Sequence, residues 1–132
     1  MRRAIPVLQI DLGSERPAYE QIVSGLRSLM VTGQFAPGDR LPPVRQLAID
    51  LGVHHNTVAE SYRVLEQEGW LDLNRGRGAT VRDRPRRKPS AAAKQELAKR
   101  LEELAAKAIA DGVPRASIAE LLKALAERLV RS

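Results

Sequence analysis

Residues 41–58 read LPPVRQLAIDLGVHHNTV, and residues 65–81 read LEQEGWLDLNRGRGATV. In the first stretch, apolar side chains recur at helical spacing after Pro43 until Gly52, and a second helical stretch begins at His55. In the second stretch, the alternating residues WLDL and the later residues TV flank a glycine-rich loop, which predicts a two-stranded hairpin. Two helices joined by a short turn and followed by a hairpin are the order of elements in a winged helix-turn-helix domain.

The rest of the chain adds helices on both sides of this segment. Apolar residues between Tyr19 and Met30 predict a first helix that ends before Gly33. Two further helices are predicted near the end of the chain, around an Asp-Gly-Val-Pro turn. The fold class is therefore mainly α with a small β wing. We predict four regions: an N-terminal extended arm or strand (1–13), a winged helix-turn-helix domain (14–83), a basic linker (84–90) and a C-terminal region of two helices (91–132).

The charge of the chain is concentrated in one segment. The 132 residues include 22 basic and 16 acidic side chains, which give a net charge of +6. Residues 75–88 hold seven of the basic side chains and a single acidic one, so the remaining 15 basic and 15 acidic residues cancel. A cationic block on a neutral background is typical of proteins that bind a polyanion, nucleic acid above all. The alternative is a solvated basic linker without a partner.

Composition disfavours several classes of function. The chain has no Cys and only four aromatic residues, which excludes thiolate chemistry and disfavours an aromatic cofactor pocket. No Ser/His/acid set emerges, so we predict no enzymatic activity, no catalytic residues, no cofactor and no metal site. No apolar run approaches the ~20 residues of a membrane span, and the apolar start ends at Gln9, too early for a signal peptide. We expect a cytoplasmic protein without a membrane partner.

The beginning of the third helix is polar and suits the recognition of bases. In a helix-turn-helix, the N-terminal residues of this helix contact base edges in the major groove. Four residues there are candidate DNA contacts: His54, His55, Asn56 and Thr57. One turn later, Ser61 either faces the DNA backbone or merely covers the helix.

The hairpin loop carries two arginines among glycines. Arg75 and Arg77 are separated by Gly76, and glycine lets a backbone approach a phosphate or the floor of the minor groove closely. We therefore predict that this wing binds DNA.

Several motifs resemble those of a known family. They are LPPVRQLA (41–48), LGVHHNTV (51–58), LEQEGWL (65–71) and RGRG (75–78), and in this order they look like the GntR family of bacterial transcription regulators. The resemblance covers about residues 14–83. The remaining two-helix tail resembles that of the YtrA-like subfamily, whose short C-terminal helical region dimerises.

The resemblance implies particular DNA contacts. Arg45 would bind a phosphate or a base, and its alternative is a surface ion pair with Asp50 or Glu66. The other implied contacts are His55, Asn56 and Thr57 at the head of the recognition helix and Arg75 and Gly76 on the wing.

Three departures from the family pattern affect the predicted readout. Pro43 stands where the family often has a capping Ser, so the second helix loses a hydroxyl cap. His54 and His55 stand where Ser/Thr and Arg are common, and Ala59 stands where some members have Arg. We therefore expect a different base preference and one missing contact.

The last two helices carry apolar residues three or four positions apart. Two isolated helices have little core of their own, so we expect this stripe to form a homodimer interface, and its alternative is an internal helical hairpin. The stripe consists of Leu97, Leu101, Leu104, Ile118, Leu121, Leu122, Leu125 and Leu129.

These features predict a dimeric, sequence-specific DNA-binding transcriptional regulator. Repression at a palindromic operator in double-stranded DNA is what the resemblance implies. One rival is a sequence-neutral architectural or RNA-binding protein that uses the basic block, and another is a helical module that binds a different subunit. For a small-molecule effector two alternatives stay open: none, or one held between the C-terminal helices and the DNA-binding domain.

Overall fold

The computed structural model describes residues 8–74, 78–83 and 88–131. Within these ranges the chain forms five helices and one two-stranded antiparallel sheet, which confirms the predicted fold class. The described residues divide into two compact units, 8–83 and 88–131. The elements are α1 (Ala18–Val31), α2 (Val44–Leu51), α3 (His55–Gln67), β1 (Leu71–Asn74), β2 (Gly78–Val81), α4 (Ala91–Ala110) and α5 (Arg115–Arg131).

A left-handed glycine makes the tight turn between α2 and α3. Gly52 has φ of +70°, a conformation that glycine adopts without steric penalty. The backbone N–H of Val53 donates to the carbonyl of Ala48 at 3.0 Å, which closes the end of α2. At the other end of α2, Pro43 occupies the capping position and makes no side-chain hydrogen bond to the helix, which confirms the expected loss of a hydroxyl cap.

The core of the first unit lies where α1 and α2 pack on α3 and where α3 meets β1. Ile22, Val58, Leu65 and Leu71 are completely buried there, so three different elements contribute fully enclosed apolar side chains. Full burial of such a side chain stabilises a fold by roughly 1.5–3 kcal/mol. This core holds α3 in a fixed position on the other helices.

The hairpin pairs Leu71 with Val81 and Asn74 with Gly78. The structure adds a feature that the sequence did not predict, because the turn after α1 also pairs with β2. Backbone N–H groups of Gly38 and Leu41 donate to the carbonyls of Val81 and Ala79 at 2.8 and 2.9 Å. The strand β2 is therefore bonded on both edges, which ties the hairpin to the helical part of the unit.

The N-terminal segment lies along α1 as an arm. Of the two predicted alternatives, arm or strand, its described part (residues 8–13) contains no strand. The side-chain oxygen of Gln21 accepts from the N–H of Asp11 at 2.7 Å, and the Gln21 amide donates back to the Asp11 carbonyl at 2.8 Å. The arm lies close over Gly25, where an added Cβ would force the terminal methyl of the Leu8 side chain to shift.

The second unit consists of α4, a short turn and α5. Ser90 caps α4 with its hydroxyl oxygen, which accepts from the N–H of Ala93 at 3.1 Å. At the turn, Gly112 has φ of +99°, and Asp111 accepts from Lys107 at 2.9 Å. Neither helix buries a residue, and the two do not pack extensively on each other. None of the helices in the described ranges is both long and apolar enough to cross a membrane.

Candidate nucleic-acid interface

The N-terminus of α3 is capped by a histidine. The Nδ1 atom of His54 accepts a hydrogen bond from the backbone N–H of Asn56 at 3.1 Å, which satisfies one of the amides that a helix N-terminus leaves unpaired. The ring of His54 also stacks on the ring of His55, with 4.3 Å between centroids and 29° between planes. His54 is exposed as predicted, but one of its ring nitrogens and one of its faces are already occupied.

The next three residues, His55, Asn56 and Thr57, form what we call the α3 tip. His55 and Asn56 are exposed, and Thr57 is half-buried. Within the described residues, no hydrogen bond engages the side chains of His55 or Asn56. The tip therefore presents polar groups to solvent while its backbone is fixed by the His54 cap and by the buried Val58.

Arg45 stands beside the α3 tip, on the first turn of α2. With Ile49, Val53, His54 and His55 it borders a cleft of about 320 Å³ between the two helices. Arg45 and the two histidines therefore border the same cleft.

The surface ion pair that was the alternative for Arg45 is not formed. Asp50 accepts from the amide of Gln46 at 2.9 Å, and Glu66 accepts from the backbone N–H of Leu73 at 3.3 Å. Among the salt bridges of the described part of the chain, none includes Arg45. The exposed guanidinium is available to an external anion.

Of the two alternatives for Ser61, the structure contradicts contact with DNA. Its side chain is 0% exposed and faces α1. The hydroxyl lies 2.8 Å from the carbonyl oxygen of Thr57 and 3.3 Å from that of Tyr19. A small hydroxyl fits a close helix–helix contact because it can donate to the preceding turn of its own helix. Ser61 therefore positions α3 against α1.

Two long-range contacts that sequence reasoning missed also position α3. The buried hydroxyl of Tyr62 donates to the carbonyl of Pro42 at 2.7 Å, and burial raises the pKa of this phenol above its ordinary value. At the other end of the helix, Arg27 of α1 makes a two-pronged ion pair with Glu68, with nitrogen–oxygen distances of 2.8 and 2.9 Å. The sequence signal for Tyr62 was only its apolar spacing, which predicts burial and not the bond.

The predicted wing residues Arg75, Gly76 and Arg77 lie outside the described residues, as do Arg84, Arg86 and Arg87 of the basic linker. The structure does confirm the hairpin that leads to the wing, because Asn74 and Gly78 face each other at its end.

The predicted apolar stripe is uncovered within the second unit. Its seven leucines are between 36% and 68% exposed, and Ile118 is half-buried near the turn. Because α4 and α5 do not pack face to face, the structure offers no support for the alternative of an internal helical hairpin.

The first unit has three helices, with a tight turn between the second and the third, followed by a two-stranded hairpin. This order defines it as a winged helix-turn-helix. Comparison with known proteins agrees. Residues 18–81 match the family described as bacterial regulatory proteins, gntR family. The HTH-type transcriptional repressor YtrA of Bacillus subtilis (strain 168) is 43% identical over 75 residues, which cover 57% of this chain and 58% of that protein.

Solved structures give the same result. YtrA from Sulfolobus acidocaldarius, a GntR-family transcription factor, is 30% identical with a TM-score of 0.57, and the match covers 80% of this chain and 99% of that one. AraR(DBD), solved in complex with operator ORX1, is 26% identical with a TM-score of 0.51, over 61% of this chain and 99% of that one.

The chain belongs to the GntR family, and its similarity to the two YtrA proteins agrees with the resemblance to the YtrA-like subfamily. These relatives are named as transcription factors or regulators and not as enzymes. The chain spans a little under three fifths (58%) of the Bacillus YtrA sequence.

Proposed function

We propose that this protein is a sequence-specific, DNA-binding transcriptional regulator that acts in the cytoplasm as a homodimeric repressor of a palindromic operator. The observation that carries the proposal is the α3 tip. His55 and Asn56 are polar and exposed, and within the described residues no hydrogen bond engages their side chains, while the helix beneath them is anchored by the buried core. A rigid helix that offers unpaired donors and acceptors suits direct reading of base edges.

The roles of the individual residues follow from their positions. Asn56 can form a bidentate pair with adenine, and Thr57 can contact either a base or a thymine methyl group. His55 lies at the same tip, and Arg45 lies across the cleft, where its planar fork suits a phosphate. His54 serves chiefly as the cap that fixes the tip, with its remaining ring nitrogen directed to the DNA backbone.

The wing residues Arg75, Gly76 and Arg77 would add contacts beside the recognition helix. The paired strands end at Asn74 and Gly78, in the same unit as α3, so the chain segment that carries these residues is joined to that unit at both ends. The operator complex of the related AraR(DBD) supports the assignment of DNA as the ligand of this domain.

Dimerisation would place two such domains on the two halves of one operator. The exposed leucines of α4 and α5 support this proposal, because apolar stripes on helices are stable in water only when another surface covers them. A twofold-symmetric protein then predicts a palindromic site, and repression follows where such a site overlaps a promoter.

Selection of binding sites from randomised DNA duplexes tests the proposal. We expect a palindromic consensus for the wild-type protein. Asn56→Ala should relax the preference at one position in each half-site, with a loss of about 1–3 kcal/mol of discrimination. Gln95→Ala, which removes an exposed amide from the second unit, is the matched control and should leave the consensus unchanged.

Two outcomes would contradict the proposal. If no sequence is enriched, the protein is a sequence-neutral nucleic-acid binder. If Asn56→Ala weakens operator and random DNA by the same factor, Asn56 does not read a base.

A further inference from the structure

A second polar feature of α3 lies beyond its tip. Asn56, Glu60, Arg63 and Gln67 are spaced by four, three and four residues, and all four are exposed. Seven residues are nearly two helical turns, so the side chains of Asn56 and Arg63 project in almost the same direction. Any surface that Asn56 faces is therefore faced by Arg63 as well.

Arg63 has no ion pair among the described residues. The carboxylates of Glu60 and Glu66 are one turn away on either side, but neither lies within 4.0 Å of its guanidinium, and Glu66 accepts from Leu73 instead. By contrast, Arg27 and Arg100 both pair with carboxylates. An exposed arginine that pairs with neither of two neighbouring carboxylates is available to an external anion.

The surroundings of Arg63 place it between the α3 tip and the paired ends of the hairpin strands. It lines a cleft of about 300 Å³ together with Ala59 of α3 and with Leu73 and Asn74 of β1. Ala59, one turn nearer the tip, is too short to obstruct the approach of a large ligand along this face. A DNA strand that contacts both the tip and the wing would therefore pass beside Arg63.

We propose that Arg63 binds a DNA phosphate at the edge of the groove that the α3 tip enters, an inference that rests on the proposed function. Seven residues correspond to about 10 Å along a helix axis, and the major groove of B-DNA is about 12 Å wide. With Asn56 at the base edges, Arg63 lies at the wall of the groove, where phosphates stand. A guanidinium fork matches phosphate oxygens, whereas the carboxylate of Glu60 suits a base edge and is repelled by phosphate.

The test measures affinity against salt concentration for operator and random duplexes. A phosphate contact carries no sequence information, so Arg63→Ala should weaken both DNAs by the same factor, about tenfold near 0.1 M salt. The slope of log affinity against log salt should become shallower by about 0.9. Arg63→Lys should keep the slope, because it keeps the charge. Arg100→Ala, which removes an ion-paired arginine from the second unit, is the control and should match the wild type.

The outcomes separate this inference from the proposed function. If the wild type binds the operator and Arg63→Ala keeps wild-type affinity and salt slope, the inference alone is wrong. If Arg63→Ala lowers affinity for the operator but not for random DNA, the inference is also wrong, because Arg63 would then read a base. If the wild type binds no duplex specifically, the proposed function fails as well. Thermal unfolding of each variant confirms that the exposed substitution leaves the fold intact.

Discussion

The two units of this protein both consist largely of helices, but they differ in how much apolar surface they bury. In the first unit, fourteen apolar side chains are buried in one cluster that α1, α2, α3 and the hairpin share. In the second unit, no residue of α4 or α5 is buried, and the leucine stripe faces solvent. Helices without a covered apolar face are marginal in water. From this difference we expect the first unit to fold by itself and the second to need a further surface, which the proposed dimer would supply.

The largest expected effect contrasts a leucine from each unit. Leu65 is fully buried, so Leu65→Ala should lower the free energy of unfolding of the first unit by about 2–5 kcal/mol. Leu104 is 68% exposed, and Leu104→Ala should leave that value unchanged. Urea unfolding followed by the fluorescence of Trp70, the only tryptophan of the chain, reports on the first unit. If Leu65→Ala and Leu104→Ala lowered this free energy of unfolding by similar amounts, the separation of the two units would be contradicted.

The second prediction tests whether a second copy covers the leucine stripe. Leu121→Glu combined with Leu125→Glu should convert a dimer of twice 14.6 kDa into a monomer, because two charges would enter the interface. Operator affinity should fall by about 100-fold, since the two half-site contacts are no longer linked. Light scattering and DNA titration measure both effects.

Val130→Glu is the control for this pair. Val130 is exposed but lies off the stripe, so its charge should leave the dimer intact. A double variant that remains dimeric would show that the interface lies elsewhere.

The third prediction concerns a buried polar contact of the first unit. Tyr62→Phe removes the hydroxyl that donates to Pro42, leaves a buried carbonyl without a donor, and should cost about 2 kcal/mol of stability. Because burial raises the pKa of Tyr62, the folded protein keeps its proton where the unfolded chain loses it. The contribution of Tyr62 to the free energy of unfolding should therefore be fully present below the ordinary tyrosine pKa of about 10. It should decrease as pH rises above that value.

Urea unfolding of the wild type and of Tyr62→Phe between pH 8 and 11 checks whether stability falls with rising pH as expected. The Tyr62→Phe variant should lose the part of the alkaline fall that this phenol causes. A difference between wild type and variant that does not shrink as pH rises would contradict the assignment.

The smallest expected effect compares the helix caps of the two units. His54→Ala removes the acceptor for the Asn56 N–H and should lower the stability of the first unit by about 1 kcal/mol, whereas His54→Asn keeps an acceptor and should restore most of it. Ser90→Ala removes the corresponding cap of α4. It should reduce helicity measured by circular dichroism and leave the Trp70 unfolding curve unchanged. A shift of that curve by Ser90→Ala would show that the two units unfold together.

The features that could be predicted from sequence are local. The bounds of the first helices follow from apolar spacing and from prolines and glycines at their ends: α1 ends before Gly33, α2 lies between Pro43 and Gly52, and α3 begins at His55, as predicted. The exposure of His55 and Asn56 also follows, because a polar helix start contributes nothing to a core. The same reasoning left the role of Ser61 undecided, since a small polar residue suits either a surface or a close helix contact, and only the structure shows that it is buried.

The amino-acid sequence by itself determined the order of the elements, the turn at Gly52 and the family, because these depend on residues close together in the chain. Only the tertiary structure decided which polar groups support α3. The hydroxyl of Tyr62 reaches Pro42 across 20 positions, and Arg27 reaches Glu68 across 41. Helical periodicity states that a side chain faces inward, but not which distant atom it meets. That partner is fixed only when the packed core brings separate elements together.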